Sequence, residues 1–76
     1  MNEDNLKAAL AAFTSRRRFR TFLIEFVSGD RLRVTHPEAV YFRKHVLIYQ
    51  SPQGAFRLFD SESVCQLLDE TPAPSP

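Results

Sequence analysis

The sequence predicts a mainly β fold with one N-terminal helix: a small, strongly bent antiparallel sheet, or a small SH3-type barrel, of four to five strands. Three observations predict it. Helical spacing of apolar residues is confined to residues 3–14. From Thr21 onward the apolar residues fall in short alternating runs rich in Phe, Val and Ile. Those runs are punctuated by Ser28-Gly29-Asp30, Ser51-Pro52-Gln53-Gly54 and Asp60-Ser61-Glu62-Ser63, which are turn compositions.

In the helix, Leu6, Leu10 and Phe13 share a stripe with Ala9, and four alanines supply propensity. Asn2 is placed to cap it, and Glu3 and Asp4 suit the positive end of its dipole. Arg16-Arg17-Arg18-Phe19-Arg20 links it to the sheet. The first strand covers 21–27, with Phe22, Ile24 and Phe26 on one face. The other face, Leu23, Glu25 and Val27, is partly apolar and offers the helix a surface to cover. Gly29 supplies the positive φ of a tight turn. Arg31-Leu32-Arg33-Val34-Thr35 then alternates strictly, completing the clearest hairpin.

His36-Pro37-Glu38 ends that strand, because proline removes a ladder donor and holds His36 extended. Residues 39–42 read equally as a helical turn or an extended stretch, and Arg43-Lys44 as an exposed turn. The third strand covers 45–50, and its continuous apolar middle marks it as central. Pro52 and Gly54 sit where a type I turn favours them. Strands over 55–59 and 64–68 follow, the latter competing with a helical turn capped by Asp60 or Ser61. Residues 1–70 thus read as a single domain, and 71–76 as a disordered proline-rich tail.

A domain of 76 residues buries a modest share of its surface and gains from a disulfide, a metal or a partner copy. Cys65 stands alone, so no internal disulfide forms, and it reads as a buried, inert thiol. His36, His45 and Cys65 match no zinc spacing, so no metal or cofactor is expected. A homo-oligomer is the remaining expectation. The longest apolar run is too short to cross a bilayer, and the acidic start, Met1 to Asn5, is unlike a secretory signal. The expected compartment is the cytoplasm.

Net charge is +1, but residues 16–45 hold eight basic against three acidic side chains. Arg16, Arg17, Arg18, Arg20, Arg31 and Arg33 form a candidate nucleic-acid surface, with Phe19 interleaved. Arginine forks clamp phosphate, and basic residues beside aromatics are the footprint of such sites. The same pattern also serves as a solvated, mixed-charge face. His36 and Glu38 are the one candidate polar site. A histidine near a carboxylate supports acid–base or pH-sensing chemistry; alternatively both side chains bond the local backbone and fix the turn. With glycine only at Gly29 and Gly54, no phosphate-binding loop or nucleophile elbow is present. Asp69-Glu70 and Glu3-Asp4 read as solubilising pairs, and no catalytic residue is assigned.

The stretch from Phe19 to Glu38 resembles a group of small uncharacterised bacterial proteins that share an aromatic-rich strand, a tight turn, a second strand ending in valine, and His-Pro-Glu. Here the turn reads Gly-Asp where that group has Asp-Gly. A helix followed by five bent strands is also similar in architecture to the Sm-like proteins, the Hfq-type RNA chaperones among them. That likeness implies rings and RNA binding. The second glycine and the aspartate of the family's first motif are absent, and Phe59-Asp60-Ser61 stands where its second motif has Tyr-Lys-His, so no binding residue is carried over. The expected function is a non-enzymatic interaction or assembly module that self-associates through the helix stripe and a strand edge. The alternative is an RNA- or DNA-binding, Sm-like protein using the arginine surface.

Overall fold

The helix α1 (Glu3–Thr14) starts where Asn2 accepts a hydrogen bond from the Asn5 amide at 2.7 Å and ends where the Ser15 amide reaches the Ala11 carbonyl. The computed structural model that contains it describes residues 1–70; the proline-rich tail expected over 71–76 lies outside the described residues. Six strands follow: β1 (Phe22–Phe26), β2 (Arg31–Val34), β3 (Val40–Arg43), β4 (Val46–Gln50), β5 (Phe56–Asp60) and β6 (Val64–Asp69). A single 3-10 turn, Ser61–Ser63, joins the last two, and Asp60 caps it by accepting from the Ser63 amide.

The strands form two antiparallel three-stranded sheets, ordered β2-β1-β6 and β3-β4-β5. The expected barrel of four to five strands is therefore corrected to two open sheets with six strands. The break at His36-Pro37-Glu38 explains the difference. β2 stops at Val34 and β3 begins at Val40, so the ladder built on β1 does not run on into β4. The ambiguous 39–42 stretch resolves as β3, which pairs with β4 from Val40↔Tyr49 to Arg43↔Val46. The turn between them is Lys44-His45, one residue later than expected, with Lys44 at φ 57°. β4 is central in its sheet, and 64–69 is a strand.

The inner faces of the two sheets enclose one core. Phe22, Ile24, Phe26, Val34 and Val64 come from the first sheet and Val40, Leu47 and Tyr49 from the second. Phe26 meets Phe59 edge-on at 4.9 Å across the gap, and the Tyr49 hydroxyl donates to the Arg33 carbonyl. The helix does not cover the outer face of β1. Its Leu6 and Leu10 join the core, and Phe13 lies 5.0 Å from Phe22. The N-terminal ammonium seals this end by donating to the Ser61 and Val64 carbonyls. The helix stripe is thus spent on the monomer's own core. No described helix is long and apolar enough to cross a membrane.

Gly29 and Gly54 hold the two tight turns at φ 97° and 89°. The Gly29 amide donates to Phe26, and the Gly54 amide closes its turn onto the Ser51 carbonyl at 2.9 Å.

Candidate interaction surfaces

Antiparallel partners in register project to the same side of a sheet, so the pairings define each outer face. On the first sheet the outer rows are Arg31–Glu25–Gln66 and Arg33–Leu23–Leu68. Glu25 is clamped between its neighbours: Gln66 donates to one oxygen at 2.7 Å and Arg31 to the other at 2.9 Å. These bonds, the Gln66 one first, hold the Glu25 carboxyl below its ordinary value. Arg33 grips Glu70 with a two-pronged contact, its Nη2 donating at 2.9 Å. The pair shifts both groups toward their charged forms, Glu70 downward and Arg33 upward.

The six candidate arginines are therefore not one free cationic field. Asp69 binds Arg16 at 2.6 Å and Arg20 at 3.5 Å, while Glu70 takes Arg33 and Glu25 takes Arg31. Arg16 is the most enclosed of them; its guanidinium also lies 4.4 Å from the Phe13 ring centre. Arg17 and Arg18 are exposed and belong to no ion pair among the described residues. Asp69 and Glu70, read from sequence as solubilising, tie β6 to β2 and to the helix–sheet linker. Their partners are far away in the chain, so only the sheet register reveals the pairing.

His36 and Glu38 line an open cleft of about 150 Å³ together with Ala39, Gln50 and Pro52. Both are exposed, and neither side chain takes part in a hydrogen bond or ion pair among the described residues. The turn is fixed by the backbone instead, the Ala39 amide donating to the His36 carbonyl at 3.1 Å. His45 is exposed and contacts Glu3 at 3.0 Å. That contact, followed by the one to Lys7, lowers the Glu3 carboxyl. Cys65 is exposed, not buried as its apolar surroundings predicted. The pairing shifts register between Glu25 and Phe26, leaving Cys65 as the extra residue of a bulge. Among the described residues no group of His, Cys, Asp and Glu side chains is placed to hold a metal.

The second sheet differs. Its inner rows are Val40–Tyr49–Arg57 and Phe42–Leu47–Phe59. Its outer rows are Arg43–Val46–Asp60 and Tyr41–Ile48–Leu58, with Phe56 beside Gln50 beyond them. Tyr41 is 42% exposed, Phe56 59% and Leu58 63%. An apolar band thus crosses all three strands, exposed on β3 and β5 and half-buried at Ile48 between them. Sequence reasoning missed this face. The apolar run in β4 marked a central strand, but which of its sides was covered depended on neighbours that only the register assigns.

No family model, no curated protein and no solved structure matches this chain.

Proposed function

We propose that this protein is a non-enzymatic interaction and assembly module of the cytoplasm that self-associates, using the outer face of the β3-β4-β5 sheet. One observation carries the reading: the outer apolar row in which exposed Tyr41 and Leu58 flank half-buried Ile48, extended by exposed Val46 and Phe56. A contiguous exposed apolar patch on a small domain marks an association site. The burial of Leu6 and Leu10 moves the expected contact from the helix stripe to this face. The free Cys65 thiol suits a reducing compartment.

Light scattering on a size-exclusion column tests the reading. The wild-type chain is expected above its monomer mass of 8.8 kDa, and Leu58→Lys at it. A wild-type chain that stays at monomer mass up to millimolar concentration overturns the proposal.

A second reading is an RNA- or DNA-binding, Sm-like protein. It is favoured by Arg17 and Arg18, which stay exposed and outside the ion pairs among the described residues. If those two alone meet phosphate, duplex affinity falls with salt at a log–log slope of about −2; all six arginines would give about −5. Absence of binding to single- and double-stranded RNA at low salt removes this reading.

A further inference from the structure

We propose that the occupant of the β3-β4-β5 outer face is a second copy of this chain, related by a two-fold axis that runs parallel to the strands over β4. The inference rests on the self-association reading above and adds the geometry of the contact. Charge placement carries it. Arg43, Val46 and Asp60 occupy one register row, so a cation stands on β3 and an anion on β5 at the same height along the strands. Arg43 has no ion-pair partner among the described residues. Asp60 spends one carboxylate oxygen, Oδ1, on the Ser63 amide.

A half-turn about an axis parallel to the strands exchanges the β3 and β5 sides and preserves height. It lays Arg43 of each copy over Asp60 of the other, twice. It also lays Tyr41 over Leu58 and Ile48 over its own equivalent. A two-fold axis running across the strands preserves the sides and inverts the height, which sets the Asp60 carboxylate against Phe56. Burying a carboxylate against an aromatic ring without a partner is costly. Of the two axes, the one parallel to the strands makes the apolar band and the flanking charges self-complementary together, as an isologous contact requires.

Dimensions agree. The face is about 10 Å between its outer backbones, and packed sheets lie about 10 Å apart, a gap an arginine side chain spans. A face of three short strands is smaller than a standard stable interface, so the dimer forms and dissociates with concentration in the micromolar range or above.

Complementary charge reversal tests the geometry. Arg43→Asp and Asp60→Arg, each alone, place like charges opposite each other and are expected to weaken self-association at least tenfold in sedimentation equilibrium. An equimolar mixture of the two restores both ion pairs and is expected to form a one-to-one dimer. Because Asp60 also caps the 3-10 turn, a second measurement avoids it. Ile48→Cys in a Cys65→Ser chain sits on the axis. Backbones about 10 Å apart are too far for a disulfide, but the paired thiols lie within reach of a short bis-maleimide. That reagent is expected to link this variant into a dimer at least tenfold faster than the wild-type chain, whose exposed thiol is Cys65. A wild-type monomer would overturn the self-association reading and this geometry together. A wild-type dimer whose charge-reversed variants associate unchanged, or fail to pair when mixed, and whose Ile48→Cys variant cross-links no faster than wild type, overturns this geometry alone.

Discussion

The two sheets share an architecture and differ on their outer faces. The β2-β1-β6 sheet presents a polar lattice in which Glu25 is bonded from both sides and Arg33 holds Glu70. The β3-β4-β5 sheet presents Tyr41, Ile48 and Leu58 in one row, with Tyr41 and Leu58 exposed. A face that satisfies its own charges has little left to offer a partner. An apolar face keeps a free-energy gain in reserve until something covers it, roughly 25 cal/mol per Å². The comparison teaches where to look for binding on this molecule: the sheet that appears basic in sequence is largely self-neutralised, and the sheet that appears ordinary is the unfinished one.

The comparison is broken most sharply from inside. Leu47 is fully buried in β4, pairs with Phe59 and helps join the two sheets. Leu47→Ala removes that filling and is expected to cost about 2–5 kcal/mol in urea unfolding. Against a total of roughly 5–15 kcal/mol for a domain, that is a large share. A cost near zero would mean that the two sheets do not share the core described above.

A middle-sized effect sharpens the polar half. Asp69→Asn releases Arg16 and Arg20 together and is expected to cost about 1 kcal/mol or less, since partly exposed ion pairs contribute little. The same change frees two arginines, so it should strengthen binding to RNA at low salt if the second reading holds, and leave self-association unchanged. Fluorescence anisotropy with a short RNA reads the first effect and light scattering the second.

The legibility of this fold in its sequence follows how local each determinant is. The helix was readable to the residue because Asn2, the alanines and the Leu6–Leu10 spacing act within a few residues. The β1–β2 hairpin was readable from strict alternation around Gly29. β3 was not, because four residues after a proline take their state from pairing with β4. The expected barrel failed at the same place, since closure needs a ladder continuous through His36-Pro37-Glu38. At the sites, the arginines were visible but their partners were not. Arg33 and Glu70 lie 37 positions apart, and the sheet register brings them together. Cys65 was misread because a bulge shifts inside-outside alternation by one residue. The apolar outer face was hidden for a related reason: Leu47 and Ile48 look alike in sequence and differ only in the side to which they point.

A smaller effect separates the two faces by pH. Glu25 and Glu70 are both held below the ordinary glutamate value of 4.5 in the folded chain. A carboxyl lowered on folding contributes stability that is present above its unfolded value and is lost as pH falls through the folded one. Stability is therefore expected to decline below about pH 4.5. Glu25→Gln should flatten that acid limb in urea midpoints taken from pH 3 to 7. Tyr41→Ala removes no carboxyl and no partner of Glu25 or Glu70, so it should leave the limb's shape unchanged. Equal flattening by both variants would show that the acid response does not come from the polar lattice.

The smallest effect on stability is the most informative about assembly. Leu58 sits on the strand next to Leu47's, but points outward and is 63% exposed. At a concentration where the chain is monomeric, Leu58→Ala is expected to move the unfolding free energy by no more than about 0.5 kcal/mol, as for a surface substitution away from packed features. At higher concentration the wild type should gain stability from mass action, and Leu58→Ala should gain much less. The same truncation of the same residue type would then cost the fold at Leu47 and only the assembly at Leu58. If Leu58→Ala destabilised the dilute monomer as much as Leu47→Ala, the outer face would already be part of the monomer's core. The apolar row would then have no surface left to offer a second copy.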